Sequence, residues 1–327
     1  MLTIDTEVWP LVDGWAQHGL MVNERDLGWQ ISHYLEGKVG SEQVGLRFQL
    51  EQLRRYGLRA TYFVEPFFAD VAGKHRLTDL VGLILDHKQE IQLHVHTEWL
   101  SDVADPRLPW GNRQYLHEYD LRQQTIILEA AKHRLEQAGA ERILAFRAGS
   151  YGANQATLSA LRSLGIAFDL SYNQCLSGSA CQLEPSEDFC RPFRTEGLWE
   201  LPLTVFIDFA EHCRPLQLGA CSVDEIFYVL QAAWERRWPL VVMLWHSGEL
   251  LHRVSSSNRG SRPNAIVVRR FNEVCAYLAS NRDRFVTRTV RELDVSALVD
   301  APSSGPIRSN FWRTSLRMAE QLIGKWA

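Results

Sequence analysis

The chain has 327 residues, of which 46% are hydrophobic and 23% charged, with a formal net charge of −4. That balance suits a globular protein with a large buried core and gives no electrostatic case for a nucleic-acid partner. The longest apolar runs, such as 240–245, are too short to span a bilayer, and no signal peptide is visible. The six cysteines form no Cys-x-x-Cys pair, so a cytoplasmic protein with free thiols is expected.

Leu2-Thr-Ile-Asp5 reads as a short first strand. Residues 8–40 then form a connection carrying Trp9, Trp15, Trp29 and Tyr34, longer than ordinary loops and therefore expected to be functional. Val44, Phe48, Leu50 and Leu53 fall at helical spacing, with Gly57 as the stop. Arg59–Val64 is a β-branched and aromatic strand, and a helix over about 75–87 leads into the next one. In that next stretch, Glu90–Trp99, the residues Ile91, Leu93 and Val95 alternate with Gln92, His94 and His96, the period of a pleated strand. The spacing further predicts a long helix over 112–138, a strand at 143–146, a helix over 153–164 and a strand at 166–170. An irregular excursion over 173–198 precedes a strand at 198–203. Ser222-Val-Asp-Glu225 is a capping box that starts a helix to about 237, and Leu240–Trp245 is an apolar strand. A helix over 264–280, a last strand near 285–287 and a short helix from Val290 complete the pattern.

Strands alternating with helices at this spacing predict an α/β fold. The expected architecture is a distorted or incomplete (β/α) barrel of about seven parallel strands over residues 1–298, with its active site at the strand C-terminal ends. Residues 299–327 read as a Pro/Ser/Gly linker and an amphipathic helix with Trp312, Leu316, Ala319, Ile323 and Trp326 on one face. That helix is expected to pack on the outside of the domain, or to make a peripheral membrane or protein contact.

The polar residues at strand ends are Asp5 and Glu7, then His94, His96 and Glu98, then Arg147, then His246. Imidazole and carboxylate donors are the ligands a divalent ion takes, and an ion with an open position can polarise a carbonyl and acidify water. A remaining carboxylate can act as general base, an arginine can orient it, and a histidine can protonate a leaving group. The competing reading of His94 and His96 is a pair hydrogen-bonded in a barrel interior. Trp9, Trp15, Trp29, Trp110 and Trp245 fall in or beside the connections after strands, where aromatic faces suit sugar rings, although core packing explains any single one equally well.

Several segments, in order, resemble motifs of the polysaccharide deacetylase (NodB-homology, carbohydrate esterase family 4) superfamily. Thr3-Ile-Asp-Thr-Glu7 is similar to Thr-Phe-Asp-Asp-Gly, and Ala60-Thr-Tyr-Phe-Val64 to Ala-Thr-Phe-Phe-Val. Glu90-Ile-Gln-Leu-His94 resembles Glu-Ile-Gly-x-His, and Phe146-Arg-Ala-Gly-Ser-Tyr-Gly152 resembles Phe-Arg-Pro-Pro-Tyr-Gly. Leu201-Pro-Leu203 and Val242-Met-Leu-Trp-His246-Ser247 resemble the later motifs, and the WalW-like subgroup shares a segment similar to Leu-His-x-His-Pro-Glu-Trp. The resemblance implies Asp5 as general base, Arg147 as its orienting partner, His246 as general acid and His94 as a metal ligand. It also implies a backbone N–H near Tyr151 at the oxyanion and a carbohydrate substrate, for which Trp9, Trp110 and Tyr151 are the expected contacts. Two departures stand out. Thr6 replaces the usual metal carboxylate, leaving Glu7 as the nearest substitute, and Glu98 stands four residues after His94, where the family has a second histidine. The ligand set is therefore Glu7, His94 and either Glu98, which has the family's spacing, or His96, which has the strand geometry. Glu98 is narrowly preferred. The implied cofactor is one divalent ion, zinc. The implied activity is removal of an acetyl group from an N-acetylated sugar of a cell-envelope polysaccharide or its precursor, as in lipopolysaccharide biosynthesis. A catalytically silent carbohydrate-binding or glycan-assembly protein and a non-sugar C–N (ureide or imide) hydrolase are the alternatives.

Overall fold

The chain enters its core at once: β1 (Leu2–Thr6) is buried at every position. The computed structural model describes residues 1–8, 24–39, 42–109, 111, 113–184, 190–252, 262–298 and 305–326. After β1 come α1 (Glu24–Gln30), a π-helical stretch over Ile31–Glu36, and the two-residue strands β2 (Lys38–Val39) and β3 (Glu42–Gln43), paired as a small hairpin. The helix α2 (Leu46–Arg55) buries Leu46, Gln49, Leu50 and Leu53, the i, i+3, i+4, i+7 stripe of an amphipathic helix with one polar member. Then come β4 (Ala60–Val64), α3 (Phe68–Ala72), α4 (Lys74–Asp86) and β5 (Glu90–Val95).

The long helix begins later than its periodicity suggests, as α5 (Leu121–Gln137). Asp120 accepts from the Gln123 backbone N–H at 2.8 Å while the Gln123 side chain accepts from the Asp120 N–H, and that reciprocal cap fixes the start. The chain continues through β6 (Ala145–Ala148), α6 (Gln155–Ser163) and β7 (Phe168–Asp169). Inside the expected excursion lies a strand that its composition does not announce, β8 (Phe193–Thr195), which folds back antiparallel on β9 (Leu198–Glu200). The connecting pair Glu196 (φ 50°) and Gly197 (φ 83°) supplies the two left-handed residues that a tight hairpin turn needs. Two further short strands, β10 (Val205–Ile207) and β11 (Cys213–Pro215), precede α7 (Val223–Glu235), which Ser222 and Glu225 cap as expected. The described chain closes with β12 (Met243–His246), α8 (Ala265–Ser280), β13 (Ile307–Arg308) and α9 (Phe311–Trp326). The strand expected near 285–287 does not form: the Phe285 N–H continues the turn after α8 by bonding Asn281 O.

The main sheet has eight strands in the order β12-β1-β4-β5-β6-β7-β9-β8. All pairings are parallel except that of the edge strand β8, so seven strands run in one direction. The fold is thus α/β, an incomplete barrel, as expected. Register brings the polar strand-end residues together: Asp5 lies beside His246 across β1 and β12, and His94 beside Arg147 across β5 and β6. Tyr62, Phe63, Phe67 and Phe68 lie fully buried in and after β4, each contributing roughly 2–3 kcal/mol through apolar burial.

A second sheet, β11-β10-β13, draws the tail against the domain, with β13 parallel to β10. The helix α9 then docks through its charged side. Arg317, only 5% exposed, pairs with Asp208 at 2.9 Å and Glu225 at 3.1 Å, while Glu320 takes Arg270 at 3.0 Å. The apolar stripe consequently faces outward, with Trp312 74% and Leu316 60% exposed. Asp208 also takes Arg214 at 2.6 Å, and the pairing of Arg317 with these two buried carboxylates turns the charged side of the helix inward. The side chains of Ile323 and Trp326 lie outside the described residues. No helix among the described residues is long and apolar enough to cross a membrane.

Candidate metal centre

Strand alternation sends Leu93 and Val95 into the core and turns His94 to the other face. His96 is still extended (φ −104°, ψ 111°), so it keeps the face of His94 although the strand has ended. The two rings stand nearly perpendicular, with centroids 4.9 Å apart. His94 Nδ1 lies 2.8 Å from the Arg147 carbonyl, which can only accept, so Nδ1 carries a proton and Nε2 is the nitrogen available to an ion. That Nε2 faces Glu7 Oε2 at 3.1 Å, and His96 Nε2 faces the same oxygen at 2.6 Å. On its far side His96 Nδ1 meets Glu98 Oε2 at 3.2 Å. Glu7, His94, His96 and Glu98 are all buried.

One ligand atom from each of Glu7, His94 and His96 lies within 4.8 Å of the other two. The donor set fits a divalent ion on three counts. Two imidazole nitrogens and a carboxylate are borderline ligands of the kind zinc takes with an open position. Both histidines are held from behind, one by a carbonyl and one by a carboxylate, as ligating histidines almost always are. An ion of charge +2 would also balance the buried carboxylates of Glu7 and Glu98. Glu98, the favoured third ligand from its spacing, stands behind His96 and outside this group of three.

Without an ion, the charges arrange themselves differently. Burial pushes Glu7 up, but the field of His96 and hydrogen bonds from His94 and His96 outweigh it and hold the carboxyl well below its usual range. Burial pushes His96 down, but Glu7 and Glu98 on either side hold it well above the usual 6.5. Metal-free His96 is therefore an imidazolium at neutral pH, and an incoming ion must displace its Nε2 proton. Ion affinity is expected to rise with pH across the neutral range, with about one proton released per ion near pH 7. Calorimetric titrations in two buffers of different ionisation heat measure this, and absence of proton release would contradict it. For the metal-free fold the signs oppose. The His96 contribution is complete below 6.5 and lost as pH rises through its raised value, and the Glu7 contribution is complete above 4.5 and lost as pH falls through its depressed value. The pair therefore stabilises the metal-free protein most between about 4.5 and 6.5, where urea midpoints should show its full effect.

Asp5 lies beside this group, and Arg147 Nη1 donates to its Oδ1 at 2.6 Å. Arg147 is completely buried, donates also to Thr3 Oγ1 and Leu170 O, and lies 4.5 Å from the centre of the Phe63 ring. His246 Nε2 stands 3.8 Å from Glu7 Oε1, with 38% of its side chain exposed. Three residues that sequence reasoning does not single out hold the end of β12. Gln49, the polar member of the α2 stripe, accepts from Trp245 Nε1 at 2.9 Å and donates to Ser247 O at 2.7 Å, bracketing His246. Glu249 accepts from the His246 backbone N–H at 3.2 Å and from the Gln217 amide at 2.8 Å, and that amide nitrogen lies 3.4 Å from His246 Nδ1. A buried glutamine on an apolar helical stripe was the available signal for Gln49; nothing local marks the other two.

After β6 the chain turns through Gly149–Tyr151 with Ser150 (φ 50°) and Tyr151 (φ 60°) both left-handed, a strained arrangement of the kind kept at functional sites. The Tyr151 hydroxyl is buried and has no hydrogen-bond partner among the described residues. Gly149 lies flat on His96: a Cβ there would sit 2.7 Å from His96 Cγ and from Val95 O. Gly149→Ala should therefore destabilise the fold by about 1–3 kcal/mol and weaken ion binding by tilting His96, measured by thermal melts and zinc titration. Trp9, Trp15 and Trp110 lie outside the described residues. Trp29 stacks on His33, and Trp245 is 2% exposed and packs on Phe271, so Trp245 is a core residue and offers no face to a sugar.

No family model and no curated protein matches the chain. Solved structures do. The chain resembles carbohydrate esterases of family 4 in fold. A family 4 carbohydrate esterase from Streptomyces lividans is 14% identical, with 93% of this chain and 96% of that one covered and a TM-score of 0.43. A protein of Mycobacterium smegmatis described as a polysaccharide deacetylase is 16% identical over 90% of this chain and 94% of its own, with a TM-score of 0.47. A family 4 pseudoenzyme from Bacillus anthracis is 11% identical over 94% and 68% of the two chains, with a TM-score of 0.40. Likeness at this level extends to the layout of the fold and carries no function.

Proposed function

We propose that the chain is a metal-dependent hydrolase that removes an acetyl group from an N-acetylated sugar of a cell-envelope polysaccharide or its precursor. One observation carries this reading: at one mouth of the sheet, the Glu7, His94 and His96 donors meet an arginine-held carboxylate and a partly exposed histidine. A divalent ion, for which zinc is the natural choice, would be held by Glu7, His94 and His96 and would supply Lewis acidity toward a carbonyl and toward water.

The chain's own residues supply the proton transfers. Asp5, with Oδ1 fixed by Arg147, takes a proton from the attacking water on its other oxygen. His246, positioned by Gln49 and Glu249, gives a proton from Nε2 to the leaving nitrogen. The backbone N–H of Tyr151, in its strained turn, donates to the oxygen that gains charge. Glu98 keeps the Nδ1 proton of His96 in place and so leaves Nε2 to the ion. Trp9, Trp110 and Tyr151 are the residues assigned to contact the sugar.

The test is acetate release from N-acetylglucosamine oligomers by zinc-loaded protein. Release that a chelator abolishes and zinc restores is the expected result. Zinc-loaded protein that binds the oligomers and releases no acetate would instead make the chain a non-catalytic carbohydrate-binding protein.

A further inference from the structure

The six cysteines are not equivalent. Cys181, Cys190, Cys221 and Cys275 are buried, whereas Cys175 and Cys213 are half-buried. These two, 38 residues apart in sequence, have their sulfurs 2.9 Å from each other. Both sit on backbone that is already held. Cys175 lies in the short turn Gln174–Leu176 after β7, where the Asn173 side chain accepts its backbone N–H at 3.0 Å. Cys213 opens β11 and is paired with Ile207 of β10, and the turn packs directly on β11. A disulfide is about 2.05 Å long, so the bond needs the sulfurs to close by less than ~1 Å, a change that side-chain rotation can supply. The Cys175 thiol donates to the Cys213 sulfur. That bond pushes Cys175 up and brings Cys213 down from the ordinary thiol range, which makes Cys213 the better nucleophile.

We propose that Cys175 and Cys213 form a dithiol site that reacts with low-molecular-weight disulfides such as oxidised glutathione and closes into an intrachain disulfide. The site shares no residue with the metal centre. The Cys213 thiolate attacks one sulfur of the small disulfide, forming a mixed disulfide and expelling one thiolate. Cys175 then loses its proton and attacks the Cys213 sulfur, expelling the second thiolate. The balance is one small disulfide and two protein thiols going to one protein disulfide and two small thiols: the protein sulfurs are oxidised and the reagent reduced. The closed loop spans residues 175–213 and therefore contains β8, β9 and β10, the edge of the main sheet and the centre of the second one.

The test uses the full-length, fully reduced chain with oxidised glutathione, alkylation of remaining thiols after denaturation, and peptide mapping by mass spectrometry. The expected product is one linked peptide pair, Cys175 with Cys213, lighter by two hydrogens and reversed by dithiothreitol, with the other four cysteines recovered as alkylated thiols. Cys175→Ser should stop at a glutathione adduct on Cys213, and Cys213→Ser should slow modification of Cys175 at least ~10-fold, following thiolate availability. A wild-type map showing stable glutathione on Cys213 without the linked pair, linkage scattered over other cysteines, or no modification at all would overturn the proposal. The wild-type map decides it even if a serine variant fails to fold.

Discussion

Replacing His96 with alanine should abolish ion binding and acetate release, whereas Glu98→Gln should keep the ion with affinity lowered about 10–100-fold. The two substitutions separate the ligand sets that the spacing left open. His96 presents Nε2 to the same Glu7 oxygen as His94, while Glu98 touches the opposite nitrogen of the His96 ring. Removing His96 takes away one of three donors and leaves Glu7 and Glu98 as two buried carboxylates without the group between them. Removing only the charge of Glu98 preserves a hydrogen-bond acceptor for Nδ1, so the ring keeps its orientation and loses basicity. Elemental analysis of purified variants gives occupancy, zinc titration gives affinity, and acetate release gives turnover. If Glu98→Gln emptied the site while His96→Ala remained loaded, Glu98 would be the ligand and His96 its neighbour.

The difficulty in reading this from sequence has a definite cause. His94 and His96 share a face through strand periodicity, and that much was legible. A ligand four residues beyond His94 needs the chain to wind back after the strand, and it does so in the turn Thr97–Ser101. Spacing says that the Glu98 carboxylate returns to the neighbourhood, but not on which side of an imidazole it arrives. Gly149 settles the side, because its missing Cβ is the space where the His96 ring lies. That contact joins β5 to the turn after β6, and no local pattern encodes it. The fold divides along the same line. Ala60–Val64 and Glu90–Val95 declare themselves by β-branched, aromatic and alternating residues, and Ser222 by its cap. The strands β8, β10, β11 and β13 have two or three residues each and exist only through distant partners, as Ile307 does beside Phe206. The outward apolar face of α9 belongs to the same class, since the carboxylates that hold Arg317 come from Asp208 and Glu225, about a hundred residues earlier.

Arg147→Met should be the most destabilising single change near the site, costing about 3–5 kcal/mol, because it strands the buried Asp5 carboxylate. The methionine stem retains much of the packing on Phe63, so the loss reports the charge and its hydrogen bonds rather than a cavity. Three partners lose a donor together: Asp5 Oδ1, Thr3 Oγ1 and the Leu170 carbonyl. Arg147→Lys should fall between, since one ammonium cannot reproduce the planar fork that reaches all three. The decisive comparison is the double variant Asp5→Asn with Arg147→Met. With the stranded charge gone, its urea midpoint should lie well above that expected from summing the two single losses. Acetate release should stay about 10²–10⁴-fold below wild type in Asp5→Asn and in the double variant alike, because the base is missing in both. Stability that recovers while activity does not would separate the two duties of this pair: Arg147 makes a buried carboxylate tolerable at the end of β1, and Asp5 is the group whose chemistry requires it there. Additive losses in the double variant would instead show that Arg147 is held mainly by Thr3 and Leu170, with Asp5 a minor partner.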